Sequence, residues 1–215
     1  MDYSTPAGMS RRRGARSWAA AQAADPWVRR AREAGWRSRA VYKLQEIDRK
    51  DRLLRPGMVV VDLGAAPGGW SQYAATRLGG RGKVWAVDLL PVAPLPNVHV
   101  IQGDFTDPGV AATLRAGLAG GADLVMSDMA PNISGVQAAD QARALVLAEA
   151  AAAFAAEVLR PGGAFLVKVF EGPGVEALRA GLKARFRALR VRKPAASRAR
   201  SREYYLLARG LRGPV

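Results

Sequence analysis

The stretch Val59-Val-Val-Asp-Leu-Gly-Ala-Ala-Pro-Gly-Gly-Trp-Ser-Gln-Tyr-Ala74 constrains this chain more than any other. Residues 58–63 are a short apolar run, rich in β-branched side chains and without alternation, as a parallel strand covered on both faces requires. Gly64, Gly68 and Gly69 then free the backbone for a tight turn that a ligand can approach closely. Residues 70–78 read as a helix closed by Gly79 and Gly80. Strand, glycine turn and helix in that order form a nucleotide-cofactor unit. The spacing departs from the dinucleotide pattern G-x-G-x-x-G, because Gly64, Ala66 and Gly69 occupy its glycine positions, with Pro67 among them. Asp62 also sets a carboxylate at the strand end, where a pyrophosphate would be repelled. A cationic, phosphate-free cofactor suits the turn better, and S-adenosylmethionine carries a sulfonium and an ammonium.

The chain downstream repeats the unit. Residues 83–88 and 98–102 read as strands, the first ending in Asp88, placed to accept hydrogen bonds from an adenosine ribose. Asp104 follows the second, either capping its loop or meeting an exocyclic amino group. Residues 123–128 form a further strand ending in Asp128, so Asp62, Asp88 and Asp128 each close a strand at the edge where open α/β sheets bind ligands. A long Ala-rich helix over 137–159 leads through Pro161-Gly162-Gly163 into the apolar strand 164–170, which Lys168 interrupts. An unpaired ammonium buried there would be very costly, so Lys168 must be paired or near the strand's end. A basic strand over 190–193, a short loop and a strand from Arg202 read as an antiparallel hairpin at the sheet edge. The pattern is a mostly parallel, Rossmann-like α/β sheet with helices on both faces and an antiparallel last strand. Upstream, residues 38–49 read as a helix with Ser38 as N-cap and Val41, Leu44 and Ile47 as its apolar stripe. Spacing alone leaves Lys43 as a solvated lysine.

Composition excludes several chemistries. Cys is absent, so disulfides, thiolate zinc sites and cysteine nucleophiles are ruled out; His99 is the single histidine and leaves little material for a histidine-based triad or zinc site, and no metal is expected. No apolar run reaches membrane-spanning length. The net charge of +15 is segregated: residues 1–55 carry 14 Lys/Arg against 6 Asp/Glu, residues 56–178 carry 7 against 11, and residues 179–215 carry 12 against 1. Two basic ends around a mildly acidic core point to a polyanion, nucleic acid first. Arg11 to Arg13, Arg37, Arg39, Arg192, Lys193, Arg198, Arg200 and Arg202 are the candidate phosphate contacts. Trp18, Trp27 and Trp36 recur every nine residues, and anchoring core contacts are favoured over base stacking. Residues 1–30 read as a flexible basic arm, 31–209 as one domain, and 210–215 as a short tail.

Five blocks carry a family resemblance: Arg37-Ser-Arg-Ala-Val-Tyr-Lys43, Asp62-Leu-Gly-Ala-Ala-Pro-Gly-Gly-Trp-Ser-Gln-Tyr73, Ser127-Asp-Met-Ala-Pro-Asn132, Val167-Lys-Val-Phe170 and Ser197-Arg-Ala-Arg-Ser-Arg-Glu203. In this order they resemble the FtsJ/RrmJ (RlmE) family of ribosomal-RNA ribose 2′-O-methyltransferases. The resemblance implies a Rossmann-like sheet and transfer of methyl from S-adenosylmethionine to a uridine in the A-loop of 23S rRNA, on the assembled 50S subunit, by a cytoplasmic monomer. It also implies a catalytic set of Lys43, Asp128, Lys168 and Glu203, with Asp62, Gly64, Pro67, Gly68, Gly69, Trp70, Asp88, Asp104 and Asp128 around the cofactor. An amine methyltransferase would carry Asn/Asp-Pro-Pro-aromatic where Asp128-Met-Ala-Pro stands. A ribosome-assembly protein that only binds RNA would explain the basic ends, but not the three acidic strand ends or Lys168.

Overall fold

The computed structural model describes residues 25–118, 120–132, 134–197 and 201–213. Seven strands form one sheet, and its order places the ligand edge. They are β1 (Val59–Leu63), β2 (Lys83–Asp88), β3 (Val98–Gln102), β4 (Ala122–Ser127), β5 (Leu159–Phe170), β6 (Phe186–Arg192) and β7 (Glu203–Leu211), in the spatial order β3-β2-β1-β4-β5-β7-β6. Strands β1 to β5 are mutually parallel, and β7 runs antiparallel to both β5 and β6. The order reverses between β1 and β4, the switch point outside whose strand ends such sheets bind ligands. The expected hairpin is present, with β6 longer at its start than the basic run suggested.

Helices cover both faces because β1 buries side chains alternately on each. Val60 joins Leu44, Ile47, Trp70, Ala74 and Leu166 under α2 (Val41–Asp51) and α3 (Gly69–Leu78). Val61 and Leu63 join Leu114, Phe154 and Leu178 under α4 (Pro108–Gly117), α5 (Gln137–Val158) and α6 (Val175–Arg185). Ala144, Ala148, Ala151 and Ala155 recur at i+3 and i+4 along α5 and are buried, so small side chains bring this 22-residue helix close to the sheet. His99 stacks on Trp85 with ring centroids 4.5 Å apart, a structural place for the lone histidine.

Two expectations about the N-terminal part change. Residues 26–33 form helix α1 (Pro26–Glu33), capped by Asp25 with proline at its first position, so the boundary expected at residue 30 falls inside a helix. Ala31 packs with Val41, Tyr42 and Ala196. Ser38 is not the N-cap of α2: that helix starts at Val41 behind Ala40, without a side-chain cap. Arg11 to Arg13, Trp18, Arg198 and Arg200 lie outside the described residues.

Candidate active site

The sheet's alternation assembles the catalytic candidates. Lys168 on β5 pairs in register with Tyr205 on β7, and Phe170 with Glu203. Opposed residues share a face, so Lys168, Tyr205 and Glu203 all turn toward the α2–α3 side. Lys43 reaches them from α2, where Lys43, Ile47 and Asp51 stand at i+4 steps on the buried stripe. Lys43 is therefore buried, 8% exposed, where spacing alone left it solvated. Its Nζ lies 2.7 Å from Glu203 Oε1 and 3.9 Å from Asp128 Oδ1. Lys168 Nζ lies 3.1 Å from the same Asp128 oxygen and donates to the Asp128 backbone carbonyl at 2.6 Å. Two ammoniums and two carboxylates thus close a charge-balanced cluster at the carboxyl ends of the strands, with Lys168 paired as its strand position demanded. Glu203 is paired with Lys43.

Burial alone would raise the Asp128 carboxyl, but Lys168, Lys43 and the Tyr205 hydroxyl outweigh it and hold it below the usual carboxylate range. Tyr205 was not singled out from the sequence. Its hydroxyl donates to Asp128 Oδ1 at 2.6 Å, and its ring lies 5.7 Å from both Lys43 Nζ and the Trp70 ring centroid. The two-residue alternation of Glu203, Tyr205 and Leu207 opposite Lys168 was the available signal.

The glycine turn stands beside this cluster. Gly64 has φ +74°, and a side chain there would collide with Met129 from the loop after β4. At Gly68, φ +106°, an added Cβ would come within 2.9 Å of the Arg37 guanidinium. The close approach at this glycine is made by the chain itself. Arg37 donates to the carbonyls of Ala93 (2.6 Å), Pro94 (2.8 Å) and Pro67 (3.3 Å), fastening the turn to the loop after β2. Asp88 completes the fastening by accepting from Ala66 N and Leu90 N, both at 2.8 Å. Gly69 and Trp70 open α3. Trp70 is buried in the core, its Nε1 donating to Ala40 O at 2.8 Å, so it supports the turn from behind. Asp104 is exposed and accepts from Thr106 N and Oγ1 through one oxygen.

Asp62 is 1% exposed, and its Oδ2 accepts from Ser71 Oγ at 2.6 Å. Burial pushes its carboxyl up to about 7; the Ser71 bond opposes the rise, and the nearby Asp128 and Asp88 add to it. Because the folded value lies above the unfolded one, the folded state holds this proton more tightly. The contribution is thus most favourable at low pH and fades as pH rises through about 7. In paired thermal melts, Asp62→Asn is expected to gain on wild type from pH 5 to about pH 7 and to hold that gain up to pH 8. A constant difference across that range would contradict a raised Asp62.

The expected phosphate contacts divide. Arg39 bonds Asp25 and the carbonyl of Ala196, tying α1 to the loop before β7. Arg192 holds Asp51 through a two-pronged contact, Nε to Oδ2 at 2.6 Å and Nη2 to Oδ1 at 2.7 Å. Arg37, Arg39 and Arg192 are thus engaged within the fold. Lys193 and Arg202 are exposed near the β6–β7 loop, Lys193 donating to Ser201 O at 3.0 Å.

The ribosomal RNA large subunit methyltransferase E of Alkalilimnicola ehrlichii is 58% identical over 201 residues, covering 93% of this chain and 96% of that protein. The protein of the same name from Pseudomonas aeruginosa is 52% identical, covering 95% of this chain and all of that one. The crystal structure of a putative ribosomal RNA methyltransferase from Plasmodium falciparum superposes with a TM-score of 0.76 at 29% identity, covering 83% of this chain and all of that one. The model of the FtsJ-like methyltransferase family matches residues 36–211, which include the glycine turn and every member of the lysine–carboxylate cluster. The chain belongs to the FtsJ-like methyltransferase family.

Proposed function

We propose that this enzyme transfers a methyl group from S-adenosylmethionine to the ribose 2′-hydroxyl of a uridine in the A-loop of 23S rRNA, on the assembled large subunit in the cytoplasm. Its near-full-length relatives are named as methyltransferases of large-subunit ribosomal RNA. The observation that carries the reading is the buried Lys43–Asp128–Lys168–Glu203 cluster beside the carboxylate-lined glycine turn. Among the described residues no helix is long and apolar enough to cross a membrane.

The donor set fits the cofactor. Asp62, Asp88 and Asp128 end adjacent strands, and the carboxylates of Asp128 and Asp88 make ionising Asp62 more costly, a negative field that attracts cationic groups. Asp88 spends one bond per carboxylate oxygen on the backbone and keeps lone pairs for ribose hydroxyls. Bound there, S-adenosylmethionine supplies an electrophilic methyl carbon on its sulfonium.

A ribose hydroxyl is a weak nucleophile, and its proton must leave as the oxygen attacks. Lys168 is arranged to take it. Asp128 offers two acceptors to Lys168 Nζ, its carbonyl and Oδ1. The ammonium spends two N–H groups on those acceptors, and release of its third proton ahead of the attack leaves one lone pair for the substrate proton. Lys43 and Glu203 complete the wall of the site, and Tyr205 fixes the Asp128 carboxylate by its hydroxyl. Holding oxygen and methyl carbon in line supplies much of the acceleration.

The test offers nuclease-treated enzyme and radiolabelled S-adenosylmethionine first free ribosomal RNA, then large subunits. Nucleoside analysis is expected to find the label as a 2′-O-methyluridine from the subunits. Label on a base, on protein or nowhere would refute the reading.

A further inference from the structure

A groove of about 400 Å³ crosses the outer surface of α1, α2 and α3, between Trp27 and Arg30 of α1, Tyr42 and Arg49 of α2, and Tyr73 and Arg77 of α3. Its α2 wall is the stripe Tyr42, Gln45, Glu46 and Arg49, spaced i, i+3, i+4, i+7. Tyr42 precedes Lys43, so this stripe lies about 100° around the helix from the one bearing the catalytic candidate. The two faces are separated by about three quarters of a helix diameter, roughly 8 Å.

The lining has two chemistries. Trp27 and Tyr42 lie with ring centroids 5.1 Å apart, and the Arg30 guanidinium carbon sits 5.6 Å and 5.0 Å from those rings. That is a platform of π-faces topped by an exposed, rotatable guanidinium. The second chemistry is cationic. Asp48 accepts from Leu54 N, Tyr73 Oη and Arg77 Nε, and Glu46 from Ala195 N, so both acids are held by the fold and the three arginines of the groove outnumber them. Arg30, Arg49 and Arg77 are all exposed along it. The Tyr42 hydroxyl adds an independent observation. The residue is 7% exposed, and its oxygen is buried without a hydrogen-bond partner among the described residues, with Arg30 lying over its ring. Turning Arg30 aside would open that donor to an acceptor entering the groove.

A flat π-system for the platform joined to an anion for the guanidiniums is the chemistry of a nucleotide. We propose that the groove binds an unpaired nucleotide of the RNA substrate, its base against Trp27 and Arg30 and its phosphate toward Arg49 and Arg77. This rests on RNA being the substrate, as proposed above, and adds a second hold on it across α2 from the reacting ribose. Trp27 thereby regains the base-stacking role that the sequence left as the lesser reading.

Hexauridylate titrated into the full-length chain, with tryptophan emission as readout, tests the groove without requiring methyl transfer. Wild type is expected to show saturable quenching, which Trp27→Phe loses in large part. The double variant R30A/R49A is expected to raise the dissociation constant about tenfold. An absent wild-type quench overturns the proposal, and so does a quench unchanged in Trp27→Phe. In methyl-transfer assays R30A/R49A should raise KM for the RNA about tenfold, with kcat and S-adenosylmethionine affinity moving less than twofold. Active enzyme with an unchanged KM in that variant sinks the groove alone. Wild type that binds hexauridylate at Trp27 yet methylates no RNA sinks the proposed reaction and leaves the groove standing.

Discussion

Lys168→Ala is expected to lower the single-turnover rate of methyl transfer by about 10²–10⁴-fold, the usual worth of a positioned general base. S-adenosylmethionine should still bind, with calorimetric affinity within a few-fold of wild type, because the glycine turn is fastened by Arg37 and Asp88 and not by Lys168. Lys168→Arg separates proton removal from charge. A guanidinium keeps the positive charge beside Asp128 but does not lose a proton in the working range, so it cannot serve as base. If the lone pair of Lys168 takes the ribose proton, the arginine variant is as inactive as the alanine one. Arginine activity within tenfold of wild type would show that a cation suffices and would overturn the base assignment. Near-normal turnover in the alanine variant would remove Lys168 from the reaction altogether.

The parts of this site that were legible in the sequence are those encoded by contiguous residues. A short apolar run, three glycines and acidic strand ends mark β1, its turn and the ligand edge within a few positions, and Lys168 declares itself by interrupting an apolar strand. Lys43 and Tyr205 were obscure for a different reason: their surroundings are made by partners far along the chain. Lys43 lies on the face of α2 that is covered by partners far along the chain, among them Glu203 of β7, some 160 residues later. Tyr205 needs the β5–β7 register before its hydroxyl can be placed on Asp128. The same distance explains the arginines. Net charge measures how many cations a segment has, while Arg37, Arg39 and Arg192 are claimed by carbonyls and carboxylates that the fold delivers. Helix α1 is the exception, since Asp25-Pro26 carried a local start signal that the surrounding arm composition masked.

Asp51→Ala is expected to destabilise the protein by about 3 kcal/mol and to lower its melting temperature by about 6–12 °C. Asp51 closes α2, its side chain is inaccessible, and it accepts from Arg192 through both oxygens and from Arg190 Nη1 at 3.1 Å. Arg209 of β7 donates to its backbone carbonyl at 2.9 Å. This is the clamp between the helix that carries Lys43 and the hairpin that carries Glu203. Removing the carboxylate strands the Arg192 guanidinium, 16% exposed, without its anion. Arg190, at 53%, is rehydrated and adds little. The same loosening should reach the 2.7 Å Lys43–Glu203 contact, so well below the melting point kcat is expected to fall while S-adenosylmethionine affinity holds. Asp51→Asn, which retains an acceptor, should fall between. Acid supplies the control. The Arg192 hydrogen bonds hold the Asp51 carboxyl below its ordinary value against the effect of burial, with Arg190 assisting. A depressed carboxylate contributes its stability fully above the unfolded value of about 3.9 and loses it as pH falls through the folded one. The gap between wild type and Asp51→Ala should therefore be constant from pH 5 to 8 and close below about pH 4. A gap that persists undiminished in acid would mean that packing, not the ion cluster, holds α2 to the hairpin.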